Sequence, residues 1–247
     1  MRYEEIKPED YLLNFVKCFW TSETLTKSAG YTILPDGFFD LIVVIKNGHI
    51  STIKLTGIWT KPIDIESQTN TTIFAVRFKP IAAELFESIN FKSILNSSIK
   101  LDIDFWEIND LTLTNFNLFC KYIEKHLIKL IERNKSINNV KINLFNEIFK
   151  KEIFSVQELS EKIFWTNRQI NRYFNMTLGL SLKEYLNIIR CNRTFKDIAN
   201  NKLMPQSNFY DQSHYIKDIK RYTGVTPKIL NRNENDRFLQ LLTIKGT

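Results

Sequence analysis

Along the first hundred residues, apolar positions tend to recur every second residue, the period of half-buried strands. YLLNFVKCFWTSE (11–23) alternates weakly and can start a sheet. YTILP (31–35) and FFDLIVVIK (38–46) are rich in β-branched and aromatic residues, and Pro35-Asp36-Gly37 supplies the turn between them. Asn47-Gly48 joins LIVVIK to HISTIKL, and both residues accept positive φ, so a tight hairpin is predicted there. TTIFAVRFK (71–79) places Ile73 and Ala75 on one face and Phe74, Val76 and Phe78 on the other. Pro80 then opens a short helix over 81–89.

From Leu113 the period changes. Leu113, Phe116, Cys120, Ile123, Leu127 and Leu130 are spaced 3, 4, 3, 4 and 3, a heptad-like seam. It reads as a dimerising helix (113–131) or as a helix packed on its own β domain; Phe119 and Ile131 widen the stripe and favour the second. The polar run ERNKSINN (132–139) breaks this helix from the next, KINLFNEIFKK. Ser155 and Glu158 form a capping box at the start of VQELSEKIF, and Thr166 can cap a second helix that Gly179 ends. SLKEYLNIIRCNRTFKDI (181–198) is a long helix. Pro205 and its Asn/Ser neighbours make 203–209 irregular. Asp211 can cap a helix from Gln212 whose stripe is Tyr215, Ile219 and Tyr222, and Gly224 and Pro227 stop it. The expected fold class is α+β in two domains. A mostly antiparallel β domain (1–110) leads through a connecting helix and linker (111–136) to an all-α domain (137–235), followed by a C-terminal tail (236–247).

Charge separates the same two parts. The chain carries a formal +7, but residues 1–150 hold 18 Lys/Arg against 18 Asp/Glu, whereas residues 151–235 hold 14 against 8. A polyanion is the simplest partner for that last third, with a merely solvated basic surface as the bland alternative. No run reaches the roughly 18 apolar residues that span a bilayer. The acidic start MRYEEIKPED lacks a signal-peptide core, and three widely spaced cysteines suit a reducing compartment, so a cytoplasmic protein without membrane attachment is expected. Three distant histidines give a metal site little support, and no cofactor is expected.

The helical third also carries the chemistry of base reading. Outward of Ile170 and Phe174 lie Asn167, Arg168, Asn171, Arg172 and Asn175; outward of the Tyr215 stripe lie Gln212, Ser213, His214, Lys217, Lys220 and Arg221. Arg suits guanine O6/N7 and Asn suits adenine N6/N7 in the major groove. Two short helices with the second facing outward make a helix-turn-helix. DQSHYIKDIKRYTGVTPK closely resembles the end of the second helix-turn-helix of AraC-type transcription regulators, and SVQELSEKI, TNRQINRYF and GLSLKEYLNIIR stand in that family's order and spacing. LPDGFFDLIV, GIWTKPI and FAVRFKPIAAELF resemble the β-rich, cupin-like N-terminal domain of one branch of the family. The chain departs from the pattern at 199–212, where the family has a regular helix and then Gly-aromatic.

The resemblance implies a sequence-specific regulator that places two recognition helices in successive major grooves of double-stranded DNA. Arg168, Asn171, Arg172, Gln212, Ser213, His214 and Lys217 are expected to contact bases; Asn167, Asn175, Lys220 and Arg221 are expected to contact phosphates. It further implies control through the N-terminal domain by a small effector or by dimerisation, and engagement of RNA polymerase by an activator. Trp59, Lys61 and Arg77 are candidate effector contacts; Arg77, inside an apolar strand, needs a partner if it faces inward and is otherwise a solvated surface residue. No Ser/His/Asp set, phosphate loop, H-E-x-x-H or dinucleotide turn is present, so an enzyme is not expected. The alternatives are a ligand-binding or enzymatic β domain with an incidental basic tail, and a nonspecific nucleic-acid binder.

Overall fold

The computed structural model describes residues 2–24, 30–110, 115–150, 156–204, 209 and 211–241. Strands β1 (Arg2–Ile6), β2 (Val16–Thr24), β3 (Gly30–Ile33), β4 (Phe39–Lys46), β5 (His49–Thr56), β6 (Ile63–Glu66), β7 (Thr71–Phe78) and β8 (Ser98–Leu101) build the N-terminal half. Six of them form an antiparallel sheet in the order β1-β2-β7-β4-β5-β8, and β3 pairs with β6 in a separate two-stranded ribbon. The β4–β5 hairpin turns at Asn47 (φ 52°) and Gly48 (φ 79°). Both are left-handed, as a tight hairpin of this kind requires. The first apolar run begins as a 3-10 turn at Asp10–Asn14, and strand starts only at Val16. The helix expected over 81–89 is a shorter 3-10 segment, Pro80–Leu85.

Alternation divides the sheet into two faces. Phe74, Val76 and Phe78 enter the main core, whereas Ala75, Cys18 and Trp20 form a small second cluster with Ile42 and Ile73 on the opposite side. Helix α1 (Phe116–Arg133) lies on the first face, where Phe116 and Phe119 pack against Phe74 with ring centroids 5.3 Å and 5.5 Å away. The heptad-like seam is therefore internal: Phe116, Phe119, Cys120, Ile123 and Leu127 are all buried within the chain. Leu113 lies outside the described residues.

Helices α2 (Asn139–Phe149), α3 (Val156–Ile163), α4 (Asn167–Thr177), α5 (Leu182–Ala199), α6 (Gln212–Thr223) and α7 (Pro227–Arg232) build the C-terminal half. Arg193 of α5 donates to the carbonyl of Ile148 at 2.7 Å and to that of Lys150 at 2.8 Å. Those two bonds satisfy carbonyls that the end of α2 leaves without helical partners. Asn231 of α7 donates to Ile198 O at 2.5 Å. Residues 200–204 following α5 are not helical; of the segment 203–209, expected to be irregular, residues 205–208 lie outside the described residues.

One hydrophobic cluster runs through both halves, and polar contacts pin its edge. Glu84, from the 3-10 segment after β7, is the densest of these. Its carboxylate accepts from Tyr173 Oη (2.6 Å), Lys141 Nζ (2.7 Å) and Ser136 Oγ (2.7 Å), and its backbone carbonyl accepts from Asn134 (2.7 Å). Burial, then Glu84 itself, pushes the Tyr173 hydroxyl well above its ordinary range, so it remains a donor. The second pin is the Asp36-Gly37 turn. Tyr185 Oη donates to Gly37 O at 3.0 Å, and Asn192 donates to Asp36 O at 3.1 Å. Gly37 has φ +83°, and a Cβ there would lie 2.5 Å from Ile189 Cδ1. The left-handed φ favours glycine at this turn, and the α5 side chains of Ile189 and Tyr185 lie directly against it.

Glu84→Ala leaves a largely buried ammonium without its carboxylate and a phenol without its acceptor, and is expected to lower urea stability by about 3 kcal/mol; an unchanged midpoint would show that the clamp is ornamental. Leu127→Ala is expected to cost about 2–5 kcal/mol with no change in sedimentation, whereas loss of a dimer at unchanged stability would make the α1 seam intermolecular.

Candidate nucleic-acid interface

Each of the two short outward helices is fixed by its own caps. Thr166 and Gln169 form a reciprocal capping box at the start of α4, which satisfies two otherwise free donors. Gln169 N donates to Thr166 Oγ1 (3.2 Å) and Thr166 N to Gln169 Oε1 (2.8 Å). Ile170 and Phe174 are buried beneath α4, with the Phe174 ring 5.6 Å from Phe145 and 5.3 Å from Tyr185. Gly179, at φ +78°, turns the chain into α5, which Ser181 caps. Glycine is the residue that takes this left-handed stop without strain. The Ser155 cap predicted for α3 lies outside the described residues. At α6, the Asp211 carboxylate accepts from His214 N at 2.7 Å, Tyr215, Ile219 and Tyr222 are buried, and Gly224 ends the helix at φ +77°. An ion pair of 2.7 Å between Arg190 and Asp218 ties α6 to α5. The long helix α5 thus carries a short, separately capped helix at each end.

The outward rows differ in how committed their side chains are. Asn167, Arg168, Arg172 and Asn175 are exposed on α4, and Gln212, Ser213, Lys217, Lys220 and Arg221 on α6. Asn171 is half-buried and turned back: its Nδ2 donates to Asn167 O (3.0 Å) and its Oδ1 faces Leu182 N (3.4 Å). Asn175 likewise donates to Asn171 O at 2.8 Å. His214 is half-buried against Phe209, with Nδ1 buried and unpartnered and Nε2 3.8 Å from Asp218. Asn171 and His214, both expected among the base contacts, are half-buried rather than open. Residues absent from the sequence reading hold the rows in place: Gln169, Glu84, Tyr185 and Arg190. The Thr166-x-x-Gln169 spacing is a capping-box signal for Gln169, and a lone charge in the apolar run IAAELF is the signal for Glu84.

The second face of the sheet, the β3–β6 ribbon and residues 239–240 line a cavity of about 550 Å³. Arg77 lines it but is already matched. It meets Asp40 at 3.0 Å and 3.3 Å and lies 3.7 Å from Asp36, while Trp20 Nε1 donates to Asp40 at 2.9 Å. Burial disfavours the guanidinium's charge, but Asp40 and then Asp36 outweigh it, and Arg77 stays charged. Burial raises the Asp36 carboxyl above its usual range despite Arg77. The picture of a solvated Arg77 is therefore corrected: it shares the face of Ile73 and Ala75, away from bulk water. Trp59 and Lys61 do not line this cavity. Their loop is held by Thr60–Asn96 bonds and runs toward α6, with Pro62 within 3.7 Å of where a Gly224 Cβ would sit.

Residues 4–100 match a family model described as a domain of unknown function, DUF6597. The chain is 28% identical over 116 residues to uncharacterized HTH-type transcriptional regulators of Staphylococcus aureus, among them those of strains MSSA476 and N315, a match that covers 42% of this chain. It spans only 16% of the length of those relatives. Among solved structures, ToxT from Vibrio cholerae O395 is 12% identical with a TM-score of 0.43, covering 93% of this chain and 99% of that one. Unsaturated-fatty-acid-bound ToxT from strain SCE256 is 11% identical with a TM-score of 0.42, covering 86% and 93%. No described helix is long and apolar enough to cross a membrane. An antiparallel β half is followed by a helical half in which one long helix, α5, carries a short capped helix at each end.

Proposed function

We propose that the chain is a sequence-specific DNA-binding transcription regulator. The observation that carries this reading is the pair α4 and α6. Each is short, capped and anchored by a buried stripe, and each turns a row of Arg, Lys, Asn, Gln and Ser outward from one connecting helix. Isolated amphipathic helices do not need that repetition, whereas reading two successive major grooves does. The excess of basic over acidic residues in 151–235 supplies the phosphate attraction.

Base contact is assigned first to Arg168 and Arg172 on α4 and to Gln212, Ser213 and Lys217 on α6. Asn167, Asn175, Lys220 and Arg221 are assigned to phosphates. Asn171 and His214 join the base readers only if DNA displaces their present internal partners. The cavity behind Arg77 is the place for a small effector. Its floor cation, Arg77, is already paired with carboxylates, so the ligand's polar groups would be read by hydrogen bonds more than by a bare cation. The internal α1 seam leaves a dimer without that route, and an activator would also engage RNA polymerase.

Selection from a random duplex library at about 150 mM salt, where nonspecific binding is weak, is expected to enrich two short blocks about one helical turn apart. No enrichment, with equal affinity for shuffled duplexes, would sink the reading. On the selected site, Arg172→Ala is expected to cost about 1–3 kcal/mol and to relax one base position. Equal weakening on every sequence would make Arg172 a phosphate contact instead.

A further inference from the structure

The sequence leaves residues 236–247 without a role, yet the described part of that segment is one of the best-tied stretches of the chain. After α7, Asn233 takes a left-handed turn (φ 42°) and its Oδ1 accepts from Phe238 N at 2.7 Å, so the departure from the helix is fixed. The strand β3 then receives the strap. Thr32 N donates to Arg237 O at 2.7 Å, Thr32 and Phe238 form a parallel bridge, and Arg237 Nε donates to Thr32 Oγ1 at 2.9 Å. Gln240, buried, closes a two-way bond with Leu34: Leu34 N to Oε1 at 2.9 Å, and Nε2 to Leu34 O at 2.8 Å. Phe238 and Leu241 are buried in the main core.

The same strap is a wall of the cavity. Trp20, Ile42 and Ile73 line it from the sheet, Ile65 from β6, and Leu239 and Gln240 from the strap. Two residues beyond Leu34, Asp36 carries the backbone carbonyl that α5 grips through Asn192 and the carboxylate that faces Arg77 on the cavity floor. At its other end the strap is continuous with α7, which is bonded to α5 through Asn231. The helical half therefore contributes covalently to the enclosure of a cavity that the β half otherwise builds.

We propose that the strap Arg237–Leu241 couples occupancy of the cavity to the seating of the helical half, so that closing the cavity and docking the DNA-reading helices are one equilibrium. The consequence for DNA rests on the regulator reading; the link between strap and cavity does not. A molecule that touches Leu239 and Gln240 binds the seated strap better than the released one, and it can shift the equilibrium only by that difference. By reciprocity, whatever unseats α7 weakens the same molecule.

The test uses the full chain and 1-anilinonaphthalene-8-sulfonate, an aromatic amphiphile, as the probe. Wild type, Gln240→Ala and the cavity-filling Ile42→Trp are compared. Probe fluorescence is expected to report binding that Ile42→Trp abolishes and Gln240→Ala weakens at least threefold. In Gln240→Ala, amide hydrogen exchange is expected to quicken at 30–34 and also at 185–193, on the far side of the Asp36 contact. The probe is expected to shift wild-type affinity for the selected duplex at least threefold, and Gln240→Ala to erase that shift. The proposal is overturned if probe binding is insensitive to Ile42→Trp, or if Gln240→Ala leaves probe affinity and exchange at 185–193 unchanged. It is also overturned if DNA affinity ignores the probe while the duplex is still bound specifically. If no duplex is bound at all, the regulator reading falls, and the fluorescence and exchange data alone decide the strap.

Discussion

The carboxylate of Glu84 holds the two halves of this chain in register. A single acidic side chain, almost out of water, receives a tyrosine hydroxyl, a lysine ammonium and a serine hydroxyl, all from segments that begin at the end of α1 or later. Such a group is tolerable in the interior because three donors, one of them cationic, meet its two oxygens. Its geometric consequence is that α2 and α4 cannot rotate against the β half without stranding a charge. The Asp36-Gly37 turn does the same for α5, by two backbone carbonyls that accept from Asn192 and Tyr185. Between these two pins the hydrophobic core continues without a break, and that continuity gives α4 and α6 a fixed platform.

The platform explains how short helices can serve as readers. Helix α4 has 11 residues and α6 has 12 residues. Helices of that length are marginal alone in water. Here each is stopped and started by specific caps and seated on aromatic residues, Phe174 and Tyr185 beneath α4 and Tyr215 beneath α6. Outside these stripes Arg168 and Arg172 of α4 and Gln212, Ser213 and Lys217 of α6 are exposed. Where a row residue is used internally, as with Asn171 and its two backbone partners, the fold has taken back part of that surface. The same economy governs Arg77, whose charge is absorbed by Asp40 and Asp36 before any ligand arrives.

Much of this was legible in the residues. The Asn47-Gly48 turn, the alternation in β7, the Thr166 and Asp211 caps, and the Tyr215-Ile219-Tyr222 stripe all rest on local chemistry, and local chemistry is what a sequence displays. The heptad-like spacing of α1 was legible as an apolar seam, but spacing alone does not say whether a second copy or the chain's own sheet covers it. The role of Glu84 depends on partners 50, 57 and 89 residues distant, and no local signal marks them. Arg77 was visible as an anomaly; that Asp40 answers it required the β4–β7 register. Trp59 and Lys61 looked like companions of Arg77 because all stand near strand ends, and the topology sends them elsewhere. The strap was not legible, since the apolar residues of RFLQL do not say what covers them until β3 is seen beside them.

One chain, on this account, presents two reading helices from a single rigid support. Hydroxyl-radical footprinting of the full chain on a duplex it selects tests that most directly. Two protected patches on one face of the duplex, centred about 10 base pairs apart, are the predicted result. A single patch, or protection spread evenly around the helix, would contradict it.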